Sequence, residues 1–340
     1  MVQDTKFYMG IDVSKLYFDI SVLKVVAHVK QAMLTERFDN TRAGIKGLHK
    51  WLKGQGVSFN ENSLLVIEST GVYHRLLWAY CSQYNLPIHI GNGAHIKWSF
   101  GIARGKNDVI DSQRLCSYAC KHADELKATP VLNPVFLKLK DLLSARSKLV
   151  AQLQTIKKYL KELSLSNDAA VQKLMAKAHK AALDGLKKSI AAIEDQLQTI
   201  LKEDQQIRTN YQLLITIPGI GHLTALYIIC CTNNFITKIS GKQLASYAGV
   251  VPFQHKSGTS VKGRNRVHPM ANKELKCMLH LCALTAIRQY PEFKHYFDRK
   301  RSEGKHSMSV LNAIKNKIVL RVVAVVNKQQ PYAATFLQAA

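Results

Sequence analysis

Acidic residues are scarce in this sequence. Its 340 residues carry 23 Asp plus Glu against 48 Lys plus Arg, a formal charge of +25 and a pI near 9.8. A balance that basic points to a polyanionic partner, nucleic acid before a membrane surface. Long apolar runs are also lacking. None reaches the ~18 residues of a membrane span, and the opening Met1 to Thr5 is polar, without the pattern of a secretory leader. The expectation is a cytoplasmic protein with no membrane partner. Cysteine pairs of the metal-binding kind are missing as well. The seven cysteines (Cys81, Cys116, Cys120, Cys230, Cys231, Cys277, Cys282) include no Cys-x-x-Cys. Cys116 and Cys120 stand one helical turn apart with His122 near, which is too few ligands at zinc spacing. A reduced protein without structural zinc is expected, its thiols acting as small hydrophobes. Apolar sequence is plentiful: 47% of residues are hydrophobic, over a length sufficient for two domains.

Residues 6–15 alternate as a strand, with Met9, Ile11 and Val13 on one side and Tyr8, Gly10 and Asp12 on the other. Tyr17 to Leu23 and a run ending near Phe38 read as two further strands of a meander. Thr41 to Leu52 is an amphipathic helix with Ile45, Leu48 and Leu52 on one face. Ser63 to Glu68 is an apolar strand of the kind buried on both sides. Gly71 to Tyr84 reads as a helix and Pro87 to Ile90 as a short strand. Three strands, helix, strand, helix, strand, then helix is the order of an RNase H-like (RuvC-like) α/β domain.

In that fold, carboxylates from the first strand, the fourth strand and a late helix meet. The acids here fall at those places: Asp12 in the first strand, Glu68 at the end of the fourth, and Asp108 and Asp111 where the late helix opens. Residues three apart share a helix face. A buried carboxylate needs a partner or a metal, and hard cations such as Mg2+ take oxygen ligands. Four convergent carboxylates would hold two such ions ~4 Å apart, which activate an attacking oxygen and stabilise a leaving one. Each acid alone also has a local explanation, as a helix cap or a strand end.

Beyond Pro134, Leu149, Leu153, Ile156, Leu160 and Leu163 step by four and three. Leu186, Ile190, Ile193, Leu197 and Ile200 do the same, after a break at residues 164–168. These are heptad seams of two long helices forming a coiled-coil hairpin, serving either its own packing or self-association. Residues 213–226 resemble a helix-hairpin-helix, with Gly219 and Gly221 in the turn where a DNA phosphate could approach. A loop or short hairpin follows, containing Ser257 and Ser260 with Lys256, Lys262, Arg264 and Arg266. A hydroxyl amid cations could attack a phosphodiester, and either serine fits that description. From Gly241 to Lys305 the sequence holds 13 Lys/Arg and 4 Asp/Glu, a dense positive face on a mainly α-helical C-terminal domain. The expected division is 1–130, 131–207 for the hairpin, and 208–340.

As a set these motifs are similar to the DEDD transposases of bacterial insertion sequences, the IS-one-ten group, with the Piv invertase among its relatives. The matching text is residues 10–15 (Gly-Ile-Asp-Val-Ser-Lys), 68–74 (Glu-Ser-Thr-Gly-Val-Tyr-His) and 106–111 (Lys-Asn-Asp-Val-Ile-Asp). It continues with 217–221 (Ile-Pro-Gly-Ile-Gly) and 244–258, from Leu-Ala-Ser-Tyr-Ala-Gly through Lys-Ser-Gly. The resemblance implies that Asp12, Glu68, Asp108 and Asp111 are an acidic tetrad binding Mg2+. It implies that Ser257 is the serine joined covalently to DNA, and that one subunit's tetrad works with another's serine in dimers and tetramers on double-stranded DNA. It further implies a guide RNA encoded beside the gene, and a bacterial cytoplasmic setting. The expected function is a transposase or site-specific recombinase. The rivals are a RuvC-like nuclease or junction resolvase using the tetrad alone, and a non-catalytic nucleic-acid-binding regulator.

Overall fold

The computed structural model describes residues 5–100, 107–131, 133–165, 168–257 and 261–333, with backbone alone for 254–257 and 261–265. Lys106, Ser166, Asn167, Gly258 and Ser260, all singled out in the sequence, lie outside the described residues. The chain divides into two compact units, Met1–Asn133 and Pro134–Ala340.

The first unit contains β1 (Thr5–Val13), β2 (Tyr17–Val26), β3 (Val29–Lys30), β4 (Leu34–Asp39), α1 (Arg42–Gly54) and β5 (Ser63–Glu68). It goes on to α2 (Arg75–Gln83), β6 (Ile88–Gly91), α3 (Gly93–Ser99) and α4 (Asp108–Lys121). The strands form one sheet with β1 central. β2 runs antiparallel on one side of it and β5 parallel on the other, β6 continues beyond β5, and β3 and β4 both pair with β2. The expected strands and helices are present. The helix expected from Gly71 begins at Arg75, after a turn in which Gly71 takes φ +69°. The left-handed backbone there is compatible with a turn and not with a helix interior.

Strand periodicity sorts the side chains onto two faces. Phe7, Met9, Ile11, Phe18, Ile20, Leu65 and Ile67 pack against Leu48 and Leu52 of α1 and Leu77, Tyr80 and Cys81 of α2. Val66, with Tyr8 and Leu64, packs on the opposite face against Leu115, Tyr118 and Ala119 of α4 and Ile96 of α3. Helix α4 lies directly on β1 at Gly10, where an added Cβ would sit 2.0 Å from the Cys116 nitrogen and 2.4 Å from the Ser112 carbonyl oxygen. Only glycine permits that approach. The Cys116 thiol donates to the Tyr8 carbonyl at 3.2 Å across the same contact, and burial pushes it up to about 12. It behaves as a packing group rather than a nucleophile.

Hydroxyls dock the start of the helix. Ser112 Oγ donates to the Val109 carbonyl, 2.8 Å away, so it accepts from Ser21 Oγ, also at 2.8 Å. Ser21 in turn sits 2.9 Å from Thr35 Oγ1. Asn107 caps α4 by accepting from the Ile110 amide at 2.7 Å, which satisfies an otherwise orphaned donor.

The second unit opens with α5 (Pro134–Leu163) and α6 (Ala169–Glu203). They run antiparallel, with Arg146 bonded to Glu194 at one level and the Tyr159 ring beside His179 at another. The seam is shallow, as two helices alone allow: Leu153 is buried, and Leu149, Ile156, Leu160 and Leu163 are half-buried. At its root the hairpin is not separate. Phe136, Leu139, Leu143, Leu197, Ile200 and Leu201 belong to the same core as the helices that follow. Those are α7 (Gln205–Ile215), α8 (His222–Cys231), α9 (Gly241–Tyr247), α10 (Lys273–Gln289), α11 (Pro291–Ser302) and α12 (Ser307–Lys328). The last carries the densest apolar face, including Val310, Ile314, Ile318, Val319 and Val322. Between α9 and α10 a two-stranded hairpin projects, β7 (Phe253–Ser257) and β8 (Val261–Arg266).

The Gly10 contact makes a direct prediction. Gly10→Ala forces backbone against backbone, and the loss expected in the first unit is about 3 kcal/mol or more. Gly54→Ala, whose Cβ meets nothing within 4 Å at the end of α1, is expected to leave stability unchanged or slightly higher. All three tryptophans, Trp51, Trp78 and Trp98, lie in the first unit, so the denaturant midpoint by tryptophan fluorescence reads this unit alone.

Candidate acidic centre and serine hairpin

Strand register brings Asp12 and Glu68 together. β1 and β5 run parallel with Ile11 beside Ile67. The next residue of each is therefore Asp12 and Glu68, side by side at the strands' C-terminal ends. By alternation both share the face of Gly10 and Val66, which is the face covered by α4. Asp108 and Asp111 occupy the first turn of that helix, and the glycine contact two residues before Asp12 draws the turn in. The Asp12 carboxyl registers the result. Its pKa is pushed up to about 6, first by burial, then by the charges of Asp108, Asp111, Glu68 and Asp19. All four sequence-selected acids thus meet in one electrostatic neighbourhood. Among the described residues, no three His, Cys, Asp or Glu side chains converge closely enough to hold one ion in this conformation. Asp108 is engaged by Tyr17 and Arg37, and Asp111 by Arg114 at 2.9 Å. Glu68 occupies the space where a Cβ on Gly93 would lie, with its Oε1 only 1.7 Å from that position.

The donors suit a divalent cation. They are all carboxylate oxygens, and a cation would offset both the burial and the neighbouring charges that raise the Asp12 pKa. A fifth acid stands beside them. Asp19 on β2 is the cross-strand partner of Asp12 and is 1% exposed. Arg37 on β4, its partner on the other side, holds it with two bonds of 3.0 and 2.8 Å. The criterion that selected Asp12, an acid within an apolar strand, applies equally to Asp19 in Tyr-Phe-Asp-Ile-Ser. Arg37 and Tyr17 gave no such signal, since an exposed cation and a strand tyrosine are ordinary.

In the second unit, the turn between α7 and α8 has Gly219 at φ +84°, with its Cβ position 2.3 Å from the Cys282 carbonyl oxygen. This glycine is required by the packing of the turn on α10. Gly221 differs: it is exposed and faces open space at the head of α8, with no side chain capping the helix. Beside it a cavity of about 410 Å³ is lined by Glu194, Gln198, His222 and Thr224. In the hairpin, the register pairs Lys256 with Lys262 and Ser257 with Val261, so Ser257 ends its strand at the turn. Arg264 lies on β8 and Arg266, exposed, ends it. The side chains of Lys256, Ser257, Lys262 and Arg264 lie outside what the structure describes.

A model of a transposase family matches residues 9–165, the stretch holding all four acids. A second, the "Transposase IS116/IS110/IS902 family", matches 211–298, the stretch holding the turn glycines and the serine hairpin. The chain belongs to the IS110-type transposases. Over 336 residues it is 29% identical to the pilin gene-inverting protein of Moraxella bovis, covering 96% of this chain and 98% of that one. The protein of the same name from Moraxella lacunata is 28% identical over the same length. An insertion element IS110 protein of Streptomyces coelicolor is 28% identical over 137 residues, 39% of this chain and 34% of that protein. The transposase is thus a DNA recombinase, an enzyme of DNA strand cleavage and rejoining. Its family implies a divalent metal. Among the described residues no helix is long and apolar enough to cross a membrane.

The raised Asp12 pKa has a consequence for stability. A carboxyl near 4 in the unfolded chain and about 6 in the folded one stabilises the fold fully below pH ~4, and that contribution is lost as pH rises through 6. In metal-free transposase, Asp12→Asn is therefore expected to be more stable than wild type at pH 7, by up to ~3 kcal/mol. The gain should vanish below pH ~4. Urea denaturation in EDTA across that range measures it.

Proposed function

We propose that this transposase exchanges DNA strands with Mg2+ held by Asp12, Glu68, Asp108 and Asp111 and with Ser257 as the nucleophile. The observation that carries the reading is the register that sets Asp12 beside Glu68 on the face covered by α4, whose first turn holds Asp108 and Asp111; burial first and then these three acids raise the Asp12 carboxyl. The strand order, β4 and β3 on β2, then β1, β5 and β6, supports a RuvC-like catalytic domain. Bound ions would supply Lewis-acid chemistry at the scissile phosphate, activating the attacking oxygen and stabilising the leaving one.

In the reaction, Ser257 Oγ loses its proton and bonds to the phosphorus. The bond from phosphorus to one strand end breaks, and that end leaves as a hydroxyl after taking up a proton. A strand-end hydroxyl of the partner duplex then attacks the phosphoserine and releases the serine, so the number of phosphodiester bonds is conserved. Lys256, Lys262, Arg264 and Arg266 flank the serine on the hairpin strands, where they offset phosphate charge. Gly221, at the head of α8 where no side chain caps the helix, gives a sequence-independent contact to double-stranded DNA, and Gly219 shapes the turn that presents it. One subunit's tetrad serves another subunit's serine, in dimers that pair as a tetramer on DNA. An RNA encoded by the element directs the complex to its sites in the bacterial cytoplasm.

Plasmid recombination with Asp12→Asn and Ser257→Ala tests this, in the presence of RNA transcribed from the flanking segment. Both variants are expected to lose at least about a thousandfold in activity. Wild type should show a protein–DNA adduct on a denaturing gel that Ser257→Ala lacks. Cut DNA with free ends and no adduct would replace the serine with hydrolysis by the acidic centre alone. Binding without cutting in wild type would leave a regulator in place of an enzyme.

A further inference from the structure

The first unit places a cation and a hydroxyl on the rim of the acidic centre that no part of the transposase reading uses. Tyr17 and Asp19 alternate onto one face of β2, the face of Asp12, and Arg37 joins them from β4 through its register pair with Asp19. Arg37 Nε and Nη2 are committed to the two oxygens of Asp19 at 3.0 and 2.8 Å. Its guanidinium lies over the Tyr17 ring, 4.1 Å from the centroid. Anchored on one edge and stacked on one face, this arginine has little freedom although half its surface is exposed. The ring beneath it is fixed in turn, and the Tyr17 hydroxyl donates to Asp108 Oδ2 at 3.1 Å. Arg37 Nη2 stands 3.7 Å from the same oxygen.

The buried Asp19 is a costly neighbour for Asp12, whose pKa it helps to raise. Like charges directly across two strands repel. A second acid in that position makes physical sense as the anchor that immobilises Arg37. Both donors converge on Oδ2 of Asp108, and Oδ1 has no bonded partner among the described residues. A carboxylate held by one oxygen presents the other in a fixed direction, which is how outer groups orient metal ligands.

We propose that Tyr17 and Arg37, the latter anchored by Asp19, are positioning residues that occupy Oδ2 of Asp108 and so aim Oδ1 at the divalent ion. This rests on the reading of Asp108 as a metal ligand. The alternative arrangement is a competitor, in which Arg37 and Tyr17 hold Asp108 back from the ion. The two differ in sign, and Tyr17→Phe separates them because it removes the hydrogen bond without changing charge.

The test is calorimetric titration of EDTA-treated full-length transposase with Mn2+, using wild type, Tyr17→Phe and Arg37→Lys. Lysine keeps the charge but can neither bridge Asp19 nor stack as a plane. Each variant is expected to bind Mn2+ about 10- to 100-fold more weakly than wild type, with the metal-free melting temperature of Tyr17→Phe close to wild type. Affinities equal to wild type in both variants would overturn the positioning role while leaving the metal-binding tetrad in place. Tighter binding by Tyr17→Phe would overturn it in favour of the competitor. No Mn2+ binding by wild type would remove the tetrad reading and this inference together. Asp19→Asn is the less informative variant, since its loss threatens the sheet itself.

Discussion

Helix α4 rests on strand β1 at the one position where the strand has no side chain. Everything chemical in the first unit depends on that contact. With Gly10 against the backbone of Ser112 and Cys116, the first turn of the helix is carried to the end of β1 and its two carboxylates arrive beside Asp12. The hydroxyl chain from Thr35 through Ser21 to Ser112 fixes the helix from the other side. A side chain at residue 10 would force the helix backbone away, since its Cβ would lie 2.0 Å from the Cys116 nitrogen, and the acids would separate.

The acidic centre is a concentrated negative charge in a protein of formal charge +25. Its local arrangement keeps that tolerable without a cation. Arg37 balances Asp19, Arg114 balances Asp111, and Asp12 holds its proton two pH units longer than an exposed carboxyl. The second unit is built for the opposite sign. Its serine hairpin sets Lys256 opposite Lys262 in the strand register. Gly219 there serves internal packing, and Gly221 alone is open, so two glycines in one motif have different physical reasons.

Much was legible from residues alone. The alternation of Met9, Ile11 and Val13, the apolar run Ser63–Glu68 and the cap-and-apolar pattern at Thr41 specify their elements because local geometry and burial agree there. The four acids stood out because carboxylates are rare in such sequence, and the order of motifs pointed to the transposase family. Less legible were the start of α2, set by the left-handed turn at Gly71, and the hairpin's fusion with the C-terminal core. Heptad spacing shows that a helix has an apolar stripe, not how deep its root is buried.

The sequence by itself determined the elements, their order, the basic character and the identity of the candidate acids, since each is a property of periodicity, composition or a residue type out of place. Only the tertiary structure decided which acids share a field. It also showed that Asp19 and Arg37 stand in one row with Asp12, and that Gly219 and Gly10 are glycines because another helix's backbone fills the space. The physical reason is range: propensity and alternation act over a few residues, whereas a register between strands and the seating of a helix join residues about a hundred positions apart.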